Sequence, residues 1–225
     1  MNVGLCVIAT GKYLEFVAPL WESASGLFLP NHRVRLFLFS DNALELREST
    51  ICLTGHRAWP GPTLYRYHSM LAYRNRLDRL DYLFYCDADM RFVGPVGDEV
   101  LGNLVATHHP GFYGAAPDDC TYDRNPASQA FVPRGCGRHY YAGGFQGGRA
   151  ERYLDAMTVL RSRIDNDDQR GVVALWHDES HWNRYLIDSP PDIALSPGYC
   201  YPEGRMLPFE PRLVALNKNH AELRL

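Results

Sequence analysis

The chain contains no apolar run near the roughly 20 residues that a membrane-spanning helix requires. Its start, MNVGLCVIATGKY, has no basic segment ahead of the apolar stretch and no small-residue cleavage pattern, so a soluble, unexported, cytoplasmic protein is expected. CxxC pairs are also absent. The six cysteines (Cys6, Cys52, Cys86, Cys120, Cys136, Cys200) are scattered over 225 residues, which excludes a disulfide scaffold or zinc ribbon and leaves reduced thiols as the expectation. Neither sign of charge dominates: the formal net charge is −3, and acids and bases interleave as in YRNRLDRLD. That pattern offers no stripe for nucleic acid or an anionic membrane, and a small polar ligand fits better. No Walker loop, G-x-G-x-x-G, repeat or Pro/Gly/Ser-rich linker occurs, so one domain over residues 1–225 is expected.

What is present reads as alternating strands and helices. VGLCVIA (3–9) is a nearly continuous apolar run, the pattern of a strand covered on both faces, and Thr10-Gly11 ends it in a turn. Leu14, Val17, Leu20, Trp21 and Ala24 predict a helix over 12–27, and HRVRLFLFSD a second strand. Leu64, Tyr67, Met70, Tyr73, Leu77 and Leu80 predict an amphipathic helix over 64–80 feeding the strand DYLFYC. This succession implies an α/β fold with a Rossmann-like, mostly parallel sheet flanked by helices, whose ligand sits beyond the carboxyl ends of the strands. Residues 94–148, rich in Gly, Pro, Tyr and Asn, should be irregular with short strands. A helix is predicted over 149–170 from Tyr153, Met157, Leu160 and Ile164, with Gly171 past its end. The run VVALW then leads to a further helix in HDESHWNRYLID, and the tail from Leu195 is Pro-rich and ends in NKNHAELRL.

Three stretches carry candidate chemistry. Asp87 and Asp89 leave a predicted strand one residue apart: either water solvates them, as in most acidic turns, or a divalent cation such as Mn²⁺ or Mg²⁺ joins them to a diphosphate. HDESH spaces His177 and His181 four apart, but the zinc protease pattern requires Glu directly after the first His, and Asp178 intervenes before Glu179. The two acids therefore read either as a helix start or as cleft carboxylates able to support a sugar's anomeric carbon. YYAGGFQGG brings aromatics together with glycines that permit close backbone approach to a ligand or merely form turns. Trp176, Trp182, Tyr140 and Tyr141 are core or sugar-stacking candidates.

HPGFYG, TYDRNPASQAFVP, YYAGGFQGG, WHDESHWNRYL, LSPGY and NKNH, in this order after a D-x-D, resemble glycosyltransferase family six, the family of the vertebrate blood group A and B transferases and the α-1,3-galactosyltransferase. The likeness runs from about Ile8 to the end. It implies a GT-A fold: a nucleotide-binding half over 1–95 ending in D-x-D, an acceptor-binding and catalytic half over 96–210, and a lid tail over 211–225. It further implies retaining transfer of GalNAc or galactose from its UDP sugar to the 3-hydroxyl of an acceptor galactose, often fucosylated.

By the same resemblance Asp87, Ala88 and Asp89 form the Mn²⁺ and diphosphate motif, Ile8, Ala9, Thr10 and Tyr13 hold uridine, and Arg66 matches a donor-binding arginine. Glu179 matches the catalytic carboxylate, Asp178 a donor-sugar contact, and Lys218 and Arg224 a basic tail over the diphosphate. His109, Thr121 and Trp176 match acceptor contacts. Pro202 stands where many relatives have an acceptor-binding Asp, and Glu203 is the substitute. Ala142, Gly143 and Gly144 fall in the segment that reads the sugar's second carbon; small residues there leave room for an acetamido group and favour UDP-GalNAc over UDP-Gal. Metal-independent bacterial relatives carry Asn for both acids, whereas this chain keeps them, which predicts metal dependence. The missing anchor and stem imply a soluble bacterial or phage type. The competing expectations are a catalytically silent UDP-sugar or glycan-binding module and, on HDESH, a zinc hydrolase.

Overall fold

The computed structural model describes residues 1–223. The strands are β1 (Asn2–Ile8), β2 (Arg33–Ser40), β3 (Ser49–Leu53), β4 (Tyr82–Cys86), β5 (Met90–Phe92), β6 (Val105–His108), β7 (Tyr141–Arg149), β8 (Ile193–Leu195), β9 (Tyr201–Pro202) and β10 (Leu213–Ala215). The α-helices are α1 (Val17–Leu27), α2 (Gly61–Leu64), α3 (Arg66–Leu71), α4 (Arg74–Leu77), α5 (Ala150–Asp168), α6 (His177–Asp188) and α7 (His220–Leu223). Seven strands form one sheet in the order β3-β2-β1-β4-β7-β6-β8. Its pairings are parallel except around β7, which runs antiparallel to both β4 and β6.

Successive side chains of a strand point to opposite faces, and β1 buries both sets, as its continuous apolar run predicts. Val3, Leu5 and Val7 join α1, Phe84 and Phe145 in one core. Cys6 and Ile8 join Leu83, Tyr85, Trp182 and the Tyr153, Met157, Leu160 and Ile164 face of α5 in the other. α5 ends at Asp168, and Gly171 follows with φ 65°, a left-handed turn that favours glycine.

Three expectations change. Residues 11–16 form a 3₁₀ turn ahead of α1 instead of the start of one helix. The predicted helix over 64–80 is three short helices, broken at Tyr65 (ψ 23°) and Tyr73 (ψ 22°), although Leu64, Tyr67, Met70 and Leu77 are all buried. The side-chain spacing survives because the core requires it, while the backbone ladder does not. The stretch 94–148, expected to be irregular with short strands, runs into β7, a strand of 9 residues inside the sheet. A Cβ at Gly147 would lie 2.3 Å from the Leu83 carbonyl oxygen and 2.5 Å from Phe84 Cδ1, so glycine is what lets β7 and β4 approach. The VVALW run is a loop, with Val173, Leu175 and Trp176 about half exposed.

A small sheet, β5-β10-β9, ties the tail to the segment just past the two acids. Ala215 pairs with Met90, and Leu216 N donates to Asp89 O at 2.9 Å. That register carries Lys218 to Asp89.

Candidate active site

β4 is apolar and fully buried from Tyr82 to Cys86, so its first exposed polar group appears where the chain leaves the sheet, at Asp87. Asp87 N donates to Gly144 O at 2.9 Å, which holds the exit of β4 against the start of β7. Asp87 and Asp89 border a cavity of about 440 Å³. Ile8 at the end of β1, Thr10 just past it, Tyr13 in the 3₁₀ turn, Gly143 and Gly144 of β7, and Trp176, Asp178 and Glu179 at the start of α6 complete its walls with Arg66, Ala88 and Lys218.

Arg66 is buried at the centre of a charged cluster. Its Nη1 donates to Gly143 O at 2.7 Å, Nη2 lies 3.5 Å from Asp87 Oδ1, and Nε lies 2.8 Å from Asp178 Oδ2. The last contact is an ion pair without hydrogen-bond alignment. Burial opposes the Arg66 charge, yet Asp178, Tyr85 and Asp87 keep its pKa above the usual value. Burial pushes Asp178 up to about 7 against the pull of Arg66.

Both oxygens of Glu179 are held. Gly143 N donates to Oε2 at 2.8 Å and the Tyr140 hydroxyl to Oε1 at 3.0 Å. Burial nevertheless raises Glu179 to about 7, the two hydrogen bonds working in the opposite direction. α6 begins with a backbone irregularity, His177 at φ 52°, whose ring meets Trp59 edge-on at 5.5 Å. His177 borders the cavity, whereas His181 is buried 3.6 Å from Asp167, so the two histidines do not converge as metal ligands.

His109 and Thr121 do not line the cavity; both meet Tyr140 behind Glu179. His109 N donates to Tyr140 O at 2.9 Å, the two rings lie 5.7 Å apart, and the Tyr140 hydroxyl is 3.5 Å from Thr121 O. Burial lowers His109 to about 4, and its Nδ1 accepts from Gly111 N, so the imidazole is neutral with its proton on Nε2. Ala9 and Ala142 are buried outside the cavity wall. Glu203 is exposed and accepts from Asn217 N at 2.8 Å, a contact within the tail and not at the cavity. Arg224 lies outside the described residues.

Sequence reasoning missed Lys12, His56, Arg57, Trp59, Thr63 and Tyr85, which also line the cavity. A signal existed for one of them: among 23 basic residues only Lys12 and Lys218 are lysines, and both reach this site. Lys12 Nζ donates to Glu222 O at 2.8 Å and so clasps α7, while Lys218 Nζ pairs with Asp89 Oδ2. His56, Arg57 and Trp59 come from a loop whose sequence carries no periodic pattern, Thr63 from the short helix α2, and Tyr85 from β4, where it reads as a core residue.

The two acids fit a divalent cation. Asp87 commits Oδ1 to the Tyr85 hydroxyl at 2.7 Å and keeps Oδ2 uncommitted, and a cationic ammonium already stands at Asp89. Among the described residues no third His, Cys, Asp or Glu joins them, so such an ion would complete its shell with ligand oxygens and water.

The glycosyltransferase family 6 model matches residues 1–225. The chain is 33% identical over 238 residues to Histo-blood group ABO system transferase 1 of Rattus norvegicus, covering 99% of this chain and 68% of that protein. It is 33% identical over 225 residues to Globoside alpha-1,3-N-acetylgalactosaminyltransferase 1 of Homo sapiens, covering 95% and 65% respectively. Glycosyltransferase 6 domain-containing protein 1 of Mus musculus is 30% identical over 213 residues, covering 89% and 68%. A match along the whole chain, on an α/β sheet of the GT-A type with its acids at the strand ends, means that the protein belongs to glycosyltransferase family 6.

Proposed function

We propose that the protein is a retaining α-1,3-glycosyltransferase that moves GalNAc from UDP-GalNAc to the 3-hydroxyl of an acceptor galactose of the Fucα1-2Gal type, with Mn²⁺, or else Mg²⁺, at Asp87 and Asp89. The observation that carries this reading is Glu179: a carboxylate anchored through both oxygens, beside the glycines of β7 that also border Asp87. The names of the relatives from Rattus norvegicus and Homo sapiens, an ABO transferase and a globoside α-1,3-N-acetylgalactosaminyltransferase, support the sugar and the linkage.

Breaking the anomeric bond places negative charge on the departing UDP and positive charge on the sugar. Asp87 and Asp89 would hold a divalent cation, which would supply charge against the first. Lys218 adds to it from the tail. Glu179, when ionised, opposes the oxocarbenium charge, either by bonding to the anomeric carbon in a double inversion or by stabilising it during front-face attack. Asp178, which borders the cavity beside Glu179 and is held by the Arg66 guanidinium, is the donor-sugar contact in this reading. Tyr13, Thr10 and Ile8 form the nucleoside end, and Gly143 and Gly144 leave space near the sugar's second carbon for an acetamido group.

The test is to offer UDP-GalNAc and UDP-Gal, each with fucosylated and plain galactosides, with Mn²⁺ or with excess EDTA. GalNAc transfer to the fucosylated acceptor, abolished by EDTA, is expected. Faster turnover with UDP-Gal would overturn the donor assignment, undiminished turnover in EDTA the metal assignment, and UDP binding without product the catalytic reading.

A further inference from the structure

Tyr85, the penultimate residue of β4, reads in the sequence as one more apolar core position, and its ring is indeed 3% exposed. Its hydroxyl nevertheless reaches the site. It donates to Asp87 Oδ1 at 2.7 Å, and the Arg66 guanidinium lies over its ring at 4.1 Å from the centroid.

An aspartate carboxylate can turn about its broad terminal torsion, and the Asp87 side chain is 38% exposed, too open for packing alone to fix it. Asp87 Oδ1 meets Tyr85, with Arg66 Nη2 at 3.5 Å, while Oδ2 faces the space above Gly144, where a Cβ would come to 3.2 Å from it. We infer that Tyr85 is a positioning residue for the cation and donor grip: it commits one oxygen of Asp87 to the protein, presents the other outward, and supports the Arg66 guanidinium that spans Asp87, Asp178 and Gly143. This inference rests on the proposed metal role of Asp87. A hydrogen-bonding group behind a metal-binding carboxylate commonly contributes 10–100-fold to metal affinity.

Two variants separate the hydroxyl from the ring. Tyr85→Phe keeps the ring beneath Arg66, while Tyr85→Leu removes both. Mn²⁺ binding to the whole purified chain with saturating UDP is read from the electron paramagnetic resonance signal of free Mn²⁺, alongside thermal melting and donor KM. For Tyr85→Phe the expected result is Mn²⁺ affinity lower by about 10-fold or more, with a near-unchanged melting midpoint and restored turnover at high Mn²⁺. Tyr85→Leu should lose the same metal affinity and, in addition, show a raised donor KM that Mn²⁺ does not restore. Wild-type Mn²⁺ affinity in Tyr85→Phe would overturn the inference. If the unmodified protein itself takes up no Mn²⁺ with UDP, the metal reading fails and this inference with it, an outcome distinguished by the missing wild-type signal.

Discussion

Replacing Tyr140 by Phe removes one hydroxyl and keeps the ring that packs on His109, Phe112 and Tyr122 at centroid distances of 5.7, 5.0 and 5.2 Å. The hydroxyl donates to Glu179 Oε1 at 3.0 Å, and that bond lowers the pKa of a carboxyl that burial has raised to about 7. A hydrogen bond to a charged group contributes about 1.5–3 kcal/mol, equivalent to about 1–2 pH units. Glu179 in the variant should then titrate higher by about that amount. At pH 7 its ionised fraction falls from about one half to between about one tenth and one hundredth, so kcat should fall about 5- to 50-fold if the carboxylate form is required. Because the loss is one of protonation state, kcat should recover on the alkaline side. The assay is a kcat–pH profile for both proteins, with acceptor KM as a control on the preserved ring packing. A uniform loss at every pH, with the acid limb unmoved, would refute the claim that Tyr140 acts through Glu179.

Glu179→Gln should lower kcat by orders of magnitude while leaving UDP binding nearly intact, since Glu179 stands at the proposed sugar end of the cavity; near-normal turnover would remove it from the mechanism. The same variant has a stability signature. The folded-state pKa is raised from 4.5 to about 7, so the carboxyl's contribution to stability is full below 4.5 and is lost as pH rises through 7. Above that window Glu179→Gln should melt later than the wild type, by up to about 3 kcal/mol of stability, and the gap should close in acid; a constant gap across pH would contradict the burial argument. Gly144→Ala should shift the kcat/KM ratio from UDP-GalNAc towards UDP-Gal and also weaken Mn²⁺ binding, because the new Cβ would stand 3.2 Å from both Asp87 Oδ2 and Cys200 Sγ. An unchanged donor ratio would argue against the pocket assignment.

The sequence by itself determined whatever local pattern encodes. Continuous apolar runs made β1 and β4 two-sided core strands, heptad-like spacing marked the buried face of α5, and an apolar run ending in two acids located the edge where the ligand cavity opens. Ordered motifs named the family. Glu179, Asp178, Asp87, Asp89, Arg66 and Lys218 come from residues 66 to 218 and line one cavity.

Only the tertiary structure decided the rest, because it depends on contacts between segments far apart in the chain. Glycine-rich β7 looks irregular in isolation and becomes an interior strand because β4 approaches too closely for side chains. Lys12 follows a turn with no motif of its own, yet it reaches the tail at Glu222. Glu203 follows Pro202 in sequence but faces Asn217, away from the cavity, because β9 and β10 pair there. Tyr85 is the sharpest case. The continuous apolar run of β4 assigns its ring to the core, and nothing in the linear pattern shows that its hydroxyl ends 2.7 Å from the first of the two acids. Periodicity determines which face a side chain takes. It carries no information about which distant group waits at the end of that side chain.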